Sequence, residues 1–109
     1  PLSSVVDWAH FEWLARNIRS GILGGYKVKV FTQGGTYSMD DIRENGDPQE
    51  DGKSLLVFNT TERIFLVKTP DGQPFGPSVL APFTSVTLKG DTGYAHGQIV
   101  AKYFGDVRG

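Results

Sequence analysis

The sequence predicts a mainly β protein, a short β-solenoid or sandwich-like β domain with one N-terminal α-helix. Three observations carry this reading. Fourteen glycines and six prolines punctuate strand-like runs rich in Val, Ile, Phe and Thr, the composition of a turn-dense β protein. One segment near the start, and only one, has helical periodicity. The third is an internal echo: Ser78-Val79-Leu80-Ala81 returns twenty residues later as Gln98-Ile99-Val100-Ala101. Each run has a glycine within two residues before it and an aromatic, Phe83 or Tyr103, within two after it. A period near twenty is the length of one solenoid coil, in which like side chains stack on like. Ala81 and Ala101 are then expected at stacked positions where only a small side chain clears the next coil. Val79 with Ile99, or Leu80 with Val100, would form apolar ladders, and Pro82, without an amide hydrogen, belongs at a corner or an edge.

At 109 residues the chain reads as a single domain, 1–109, with a helix over 5–23, a β region over 26–104 and an acidic loop over 40–53. Ser4 with Asp7 is a capping-box variant, and Gly24-Gly25 reads as the helical stop after Leu23. Trp8, Phe11, Leu14, Ala15, Ile18 and Ile22 fall in one stripe about 120° wide, suited to docking on a sheet. Val6, Ala9 and Trp13 make a second apolar patch on the opposite side, to be covered either by a long loop or by another subunit.

From Tyr26 the period becomes two. Tyr26, Val28 and Val30 alternate with Lys27, Lys29 and Phe31, a strand with one buried and one wet or interfacial face. Gly34-Gly35 turns the chain into a short strand, Thr36 to Met39. Asp40, Asp41, Glu44, Asp47, Glu50 and Asp51 lie in the polar stretch that follows; their spacing fits no calcium loop, and an acidic exposed loop is the reading adopted. Strands resume at Ser54–Asn59 and Arg63–Lys68. The run Ile64-Phe65-Leu66-Val67 suits a strand covered on both faces, or one whose second face, with Phe65, meets a neighbouring molecule. Asn59-Thr60-Thr61 matches the N-glycosylation sequon. Thr69 to Pro74 is a turn, and Gly105 to Gly109 a frayed tail.

Ser54-Leu55-Leu56-Val57-Phe58-Asn59, Gly76-x-Ser78-Val79-Leu80-Ala81-Pro82, Val86 with a glycine-rich turn, and Gly97-Gln98-Ile99-Val100-Ala101-Lys102 together resemble the C-terminal half of the choice-of-anchor A domain family. The resemblance covers Ser54 to Phe104 and implies a secreted or surface-attached, β-helix-like protein of adhesion or scaffolding, without catalytic residues. Phe83 departs from the family's small polar residue after the proline, the chain is shorter than a typical family domain, and no anchoring tail is read after Phe104. A start at Pro1, with neither methionine nor leader, is expected of a processed mature form or an artificial start.

Charge and chemistry narrow the function classes. The net charge is −1, which offers no electrostatic attraction to nucleic acid or an anionic membrane and little mutual repulsion between copies. The chain has no cysteine, hence no disulfide framework, and no apolar run of membrane-spanning length. His10 and His96 lie on different elements, away from any serine nucleophile. Asp40 and Asp41 are loop neighbours without a sign of the burial that tunes a carboxylate for acid–base work. Gly90, Gly93 and Gly97 lead into a strand, so they lack the helix N-terminus of a phosphate cradle. Lys27 and Lys29 beside Tyr26 and Phe31 imitate a nucleic-acid platform but have no wider basic groove. No catalytic, cofactor or metal site is expected, and the chain reads as no enzyme. The expectation is a non-catalytic extracellular or cell-surface structural protein that self-assembles into a filament or matrix layer, through Val6, Ala9, Trp13, Phe31 and Phe65. The alternative is a monomeric adhesive module binding a glycan or matrix protein through Tyr94, Tyr103 and Trp13.

Overall fold

The computed structural model describes residues 4–38, 53–67, 75–90 and 97–107, with side chains from Trp8 in the first element to Gly105 in the last. It is mainly β with one helix. The acidic loop with its calcium-like carboxylates (up to Gly52), the Thr69 to Pro74 turn, Gly93, Tyr94, His96, and the side chains of Ser4, Val6 and Asp7 lie outside the described residues.

Helix α1 spans Ser4–Asn17 and ends six residues before the expected stop at Leu23. Here the sequence reading needs correction. The side-chain amide Nδ2 of Asn17 donates to the Trp13 carbonyl at 2.7 Å, capping the last turn. The chain then passes through Arg19 and Ser20 into β1, Gly21–Leu23, which pairs antiparallel with β2, Tyr26–Phe31. Gly24 and Gly25 have φ of 57° and 85°, the two positive values a tight two-residue hairpin turn demands. The glycine pair is therefore a hairpin turn, and Ile22, expected on the helical stripe, lies on a strand and is 79% exposed.

The other strands are β3, Gly35–Ser38; β4, Ser54–Phe58; β5, Ile64–Val67; β6, Ser78–Lys89; and β7, Ile99–Val107. All seven belong to one sheet, in the order β1-β2-β4-β6-β5-β3 with β7 on β6. Among the described residues there is no second sheet of the kind a sandwich would pack against it. Apart from the β1 hairpin, every pairing is parallel. β6 is long enough to serve two partners on one edge, β4 along Ser78–Leu80 and β5 along Val86–Lys89, while β7 runs along its other edge. The strands thus lie in four superposed courses, each with a first leg, a corner and a second leg: β2 with β3, β4 with β5, β6, and β7.

Registers put like over like. Lys29, Leu56, Val79 and Ile99 form one column, and Val30, Val57, Leu80 and Val100 the next. The echo is therefore structural: Val79 pairs with Ile99, Leu80 with Val100 and Ala81 with Ala101. Beyond the corner, Gly35, Ile64, Val86 and Phe104 share a column. Pro82 stands at the corner, buried, in the irregular stretch of β6 between Ala81 and Ser85.

The sheet is curled, and each face carries its own core. Leu56, Phe58, Val79 and Ala81 from the first legs meet Ile64, Leu66, Val86 and Leu88 from the second on the concave side, with Phe75 filling the space between. Fully burying apolar side chains of this size contributes about 1.5–3 kcal/mol each. On the convex side of the first leg, α1 lays Phe11, Leu14, Ala15 and Ile18 over Val28, Val57 and Leu80. The predicted stripe is the docking face from Phe11 to Ile18; Trp8, expected at its start, is half-buried and meets Phe11 edge-on. The Arg16 guanidinium lies 4.6 Å from the centre of the Phe83 ring, adding a cation–π contact to the dock.

Candidate functional site

The corners are held by polar groups that the strands cannot supply. Asn59 N–H donates to the Phe31 carbonyl at 2.9 Å, and Gly35 N–H to the Arg63 carbonyl at 2.9 Å. Glu62 lies between the first and second courses: its Oε1 accepts Gly34 N–H at 2.7 Å. Its carbonyl accepts the Thr84 hydroxyl at 2.8 Å, tying the second corner to the third. A side chain at Gly34 would place its Cβ 2.3 Å from Glu62 Cβ and 2.8 Å from the Arg63 carbonyl, so glycine is required by close approach. Sequence reasoning saw Gly34 only as a turn, and nothing at Glu62 announced its role. Burial first, and then the nearby Glu62 carboxylate, raise the pKa of the Tyr37 phenol, whose hydroxyl donates to the Gln33 carbonyl at 2.7 Å.

Beyond these corners lies the last course, which carries two exposed aromatics. β7 is nine residues long and pairs with β6 through eight of them, and among the described residues no strand lies on its other edge. Tyr103 is 76% exposed and Phe104 48%. Phe104 continues the column of Ile64 and Val86, both fully buried, so its exposure follows from its place in the outermost course. A long edge strand with apolar side chains is a template for adding another strand.

The opposite end of the sheet differs. β1 covers Tyr26–Val28, and the Ser20 hydroxyl accepts Val30 N–H at 3.0 Å. A groove of about 470 Å³ lies here, lined by Ser20, Gly21, Ile22, Lys27, Val28 and Lys29. At that end the strands without a described neighbour on their outer edge are short, β1 of three residues and β3 of four.

The expected interface residues are not gathered on one surface. Trp13 is 58% exposed and stacks on His10, with ring centres 6.3 Å apart and planes within 7°. Ala9 is exposed beside it. Phe31 turns into the concave core instead, 5.0 Å from the Phe58 ring and 4.9 Å from Tyr37. It shares its face of β2 with Lys27 and Lys29, and its ring is taken up by these core contacts. Phe65 is half-buried on the convex side of the second leg, with the Lys89 ammonium 4.5 Å from its ring centre. Asn59 is half-buried at the second corner, its sequon threonines Thr60 and Thr61 following it round the bend. Among the described residues no three His, Asp or Glu side chains come together as a metal-ligand set, and no helix is long and apolar enough to cross a membrane. Compared with known proteins, the chain matches no family model, no curated protein and no solved structure.

Proposed function

We propose that this chain is a non-catalytic structural domain of a short β-solenoid type, which works extracellularly by associating with copies of itself into a filament or matrix layer. The observation that carries the reading is the β7 edge, nine residues long, with Tyr103 and Phe104 exposed along it. The four in-register parallel courses support the solenoid part, since a stack of this kind extends by adding one more course at an end. Trp13 supplies a second apolar anchor on the outer side of the helix, and tryptophan is among the residues that contribute most to contacts between proteins. The extracellular setting rests on the resemblance over Ser54 to Phe104 and suits a chain without cysteine. The parallel strand stack and its exposed edge favour self-association over the alternative adhesive module.

Light scattering over a wide concentration series tests the proposal. Wild-type chain is expected to grow in mean mass with concentration. Trp13→Ala should need a higher concentration for the same growth while keeping the wild-type circular dichroism spectrum. A wild-type chain that stays monomeric at millimolar concentration would overturn the reading.

A further inference from the structure

The β7 edge also has features that select the occupant and its register. We propose that the first contact between copies is a two-fold symmetric dimer in which β7 pairs antiparallel with β7 of a second copy, the two corners facing each other. This rests on the self-assembly reading above and names its primary interface.

Residues directly opposite one another in an antiparallel pair point to the same side of the sheet. In the first leg of β7, Ile99 and Ala101 face the concave core, and Val100 faces the helix side. Beyond the corner, Phe104 follows the concave column of Ile64 and Val86, and Gly105 follows the convex column of Phe65 and Thr87. A two-fold axis through the corner exchanges the legs, so first-leg residues of one copy meet second-leg residues of the other. Concave must meet concave, and corner must meet corner. Both conditions hold when Ala101 lies opposite Phe104 of the second copy, Val100 opposite Gly105 and Lys102 opposite Tyr103.

That register is also complementary in volume. The small Ala101 receives the half-exposed Phe104, and Val100 meets Gly105, around whose Cβ position there is open space. The rotation about the corner maps the curled course onto itself, so the two concave cores become one continuous trough. Net charge of −1 per chain opposes the contact little.

Head-to-tail stacking is the competing arrangement, and the other end of the sheet disfavours it. The Tyr26–Val28 edge is taken by β1 and Val30 N–H by Ser20, which among the described residues leaves β1, three residues, and β3, four residues, to receive a nine-residue strand. β7 against β7 in this register pairs eight residues, Ile99 to Asp106, with the same eight. A two-fold contact closes on itself. Growth beyond the dimer then falls to other exposed apolar side chains, such as Trp13 on the helix and Ile22 on β1.

Cysteine crosslinking tests the register, because the chain has no cysteine of its own. V100C and G105C are prepared separately, checked for wild-type circular dichroism, mixed and oxidised. Opposed positions lie about 4.5–5.5 Å apart between Cα atoms, within disulfide reach. Identical positions lie about 16 Å apart, five residues along the strand, and cannot join. A crosslinked dimer is therefore expected in the mixture and absent from either variant alone. A101C mixed with F104C gives the same test should V100C fail to fold, since identical positions there lie about 10 Å apart, three residues along the strand. Crosslinking of T36C with G105C in place of these pairs would show head-to-tail stacking and overturn the two-fold dimer. Concentration-dependent association with none of these crosslinks would overturn the β7 interface but leave self-assembly standing. No association at any concentration would overturn both.

Discussion

Gly34→Ala is the sharpest probe of how the courses are locked. The added methyl would sit 2.3 Å from Glu62 Cβ, 2.8 Å from the Arg63 carbonyl and 3.0 Å from the Glu62 carbonyl carbon. These are mainly backbone atoms of the next corner, so they cannot swing aside as a side-chain tip would. The corner must separate, which strains the bond from Gly34 N–H to the Glu62 carboxylate at 2.7 Å and the bond from Gly35 N–H to the Arg63 carbonyl at 2.9 Å. Overpacking of this kind costs about 1–3 kcal/mol. The bond to a charged acceptor adds about 1.5–3 kcal/mol and the neutral one about 0.5–1.5 kcal/mol if lost. Partial relaxation lowers the total, leaving an expected loss on the order of 3 kcal/mol, or roughly 12–20 °C in Tm for a domain of this size. Gly105→Ala is the matched control, since a Cβ there meets nothing within 4 Å. Urea unfolding followed by tryptophan fluorescence reads both. A Gly34→Ala loss below about 1 kcal/mol, or one equal to that of Gly105→Ala, would refute the argument that close stacking at the corner fixes the courses.

Other expectations follow from single columns and contacts. Ala81→Leu, at a fully buried position between the Phe58 and Ala101 courses, should cost about 1–3 kcal/mol in urea unfolding, and Ala101→Leu, half-buried in the outer course, less. Glu62→Gln keeps an oxygen for Gly34 N–H and should lose less stability than Glu62→Ala, which leaves that donor without its partner; equal losses would deny the carboxylate its corner role. The Tyr37 phenol has a folded pKa raised above the unfolded value near 10, so the protonated form is the one the fold favours. Its contribution is fully present below that unfolded value and is lost as pH rises through the folded one. Tyr37→Phe should accordingly flatten the alkaline limb of a stability-versus-pH curve, at a cost of about 1 kcal/mol at neutral pH for the bond to the Gln33 carbonyl.

The twenty-residue echo was legible because parallel in-register stacking places chemically similar residues over one another, and small residues at crowded positions cannot vary freely. The earlier courses hid the same logic. Val28 to Leu55 is 27 residues, Leu56 to Val79 is 23 and Val79 to Ile99 is 20, because the connections between courses differ in length while the columns do not. No fixed period exists to be found. The helix stripe was legible as far as Ile18, since Phe11, Leu14 and Ala15 meet the sheet at helical spacing. Its end was misread because Gly24-Gly25 serves equally as a helix stop and as a hairpin turn. The local signals that decide are Asn17, bonding back onto Trp13, and Ser20, holding Val30. Phe31 was misread for a related reason. Alternation correctly put it opposite Val28 and Val30, but which side of β2 was the larger core depended on the curl of the whole sheet. The role of Glu62 was invisible for the same cause, since its partner Gly34 lies 28 residues away and meets it only when the courses stack.

The curl explains how this small β sheet buries an interior and still leaves an apolar edge exposed. A flat sheet of four parallel courses would have two broad faces to cover, and one short helix covers one leg of one face. Bending at the corner folds the other face onto itself: the first and second legs bury each other's side chains around Phe75, and the helix needs to reach only Val28, Val57 and Leu80. What bending cannot remove is the edge, because each course satisfies its backbone only by lying between two others. The cost therefore concentrates at the outermost course. Side chains that would be core in any inner course, Phe104 above all, stand half in water there. The same register that buries Ile64 and Val86 leaves Phe104 half-exposed, and stability of the interior and exposure of the edge come from one arrangement of strands.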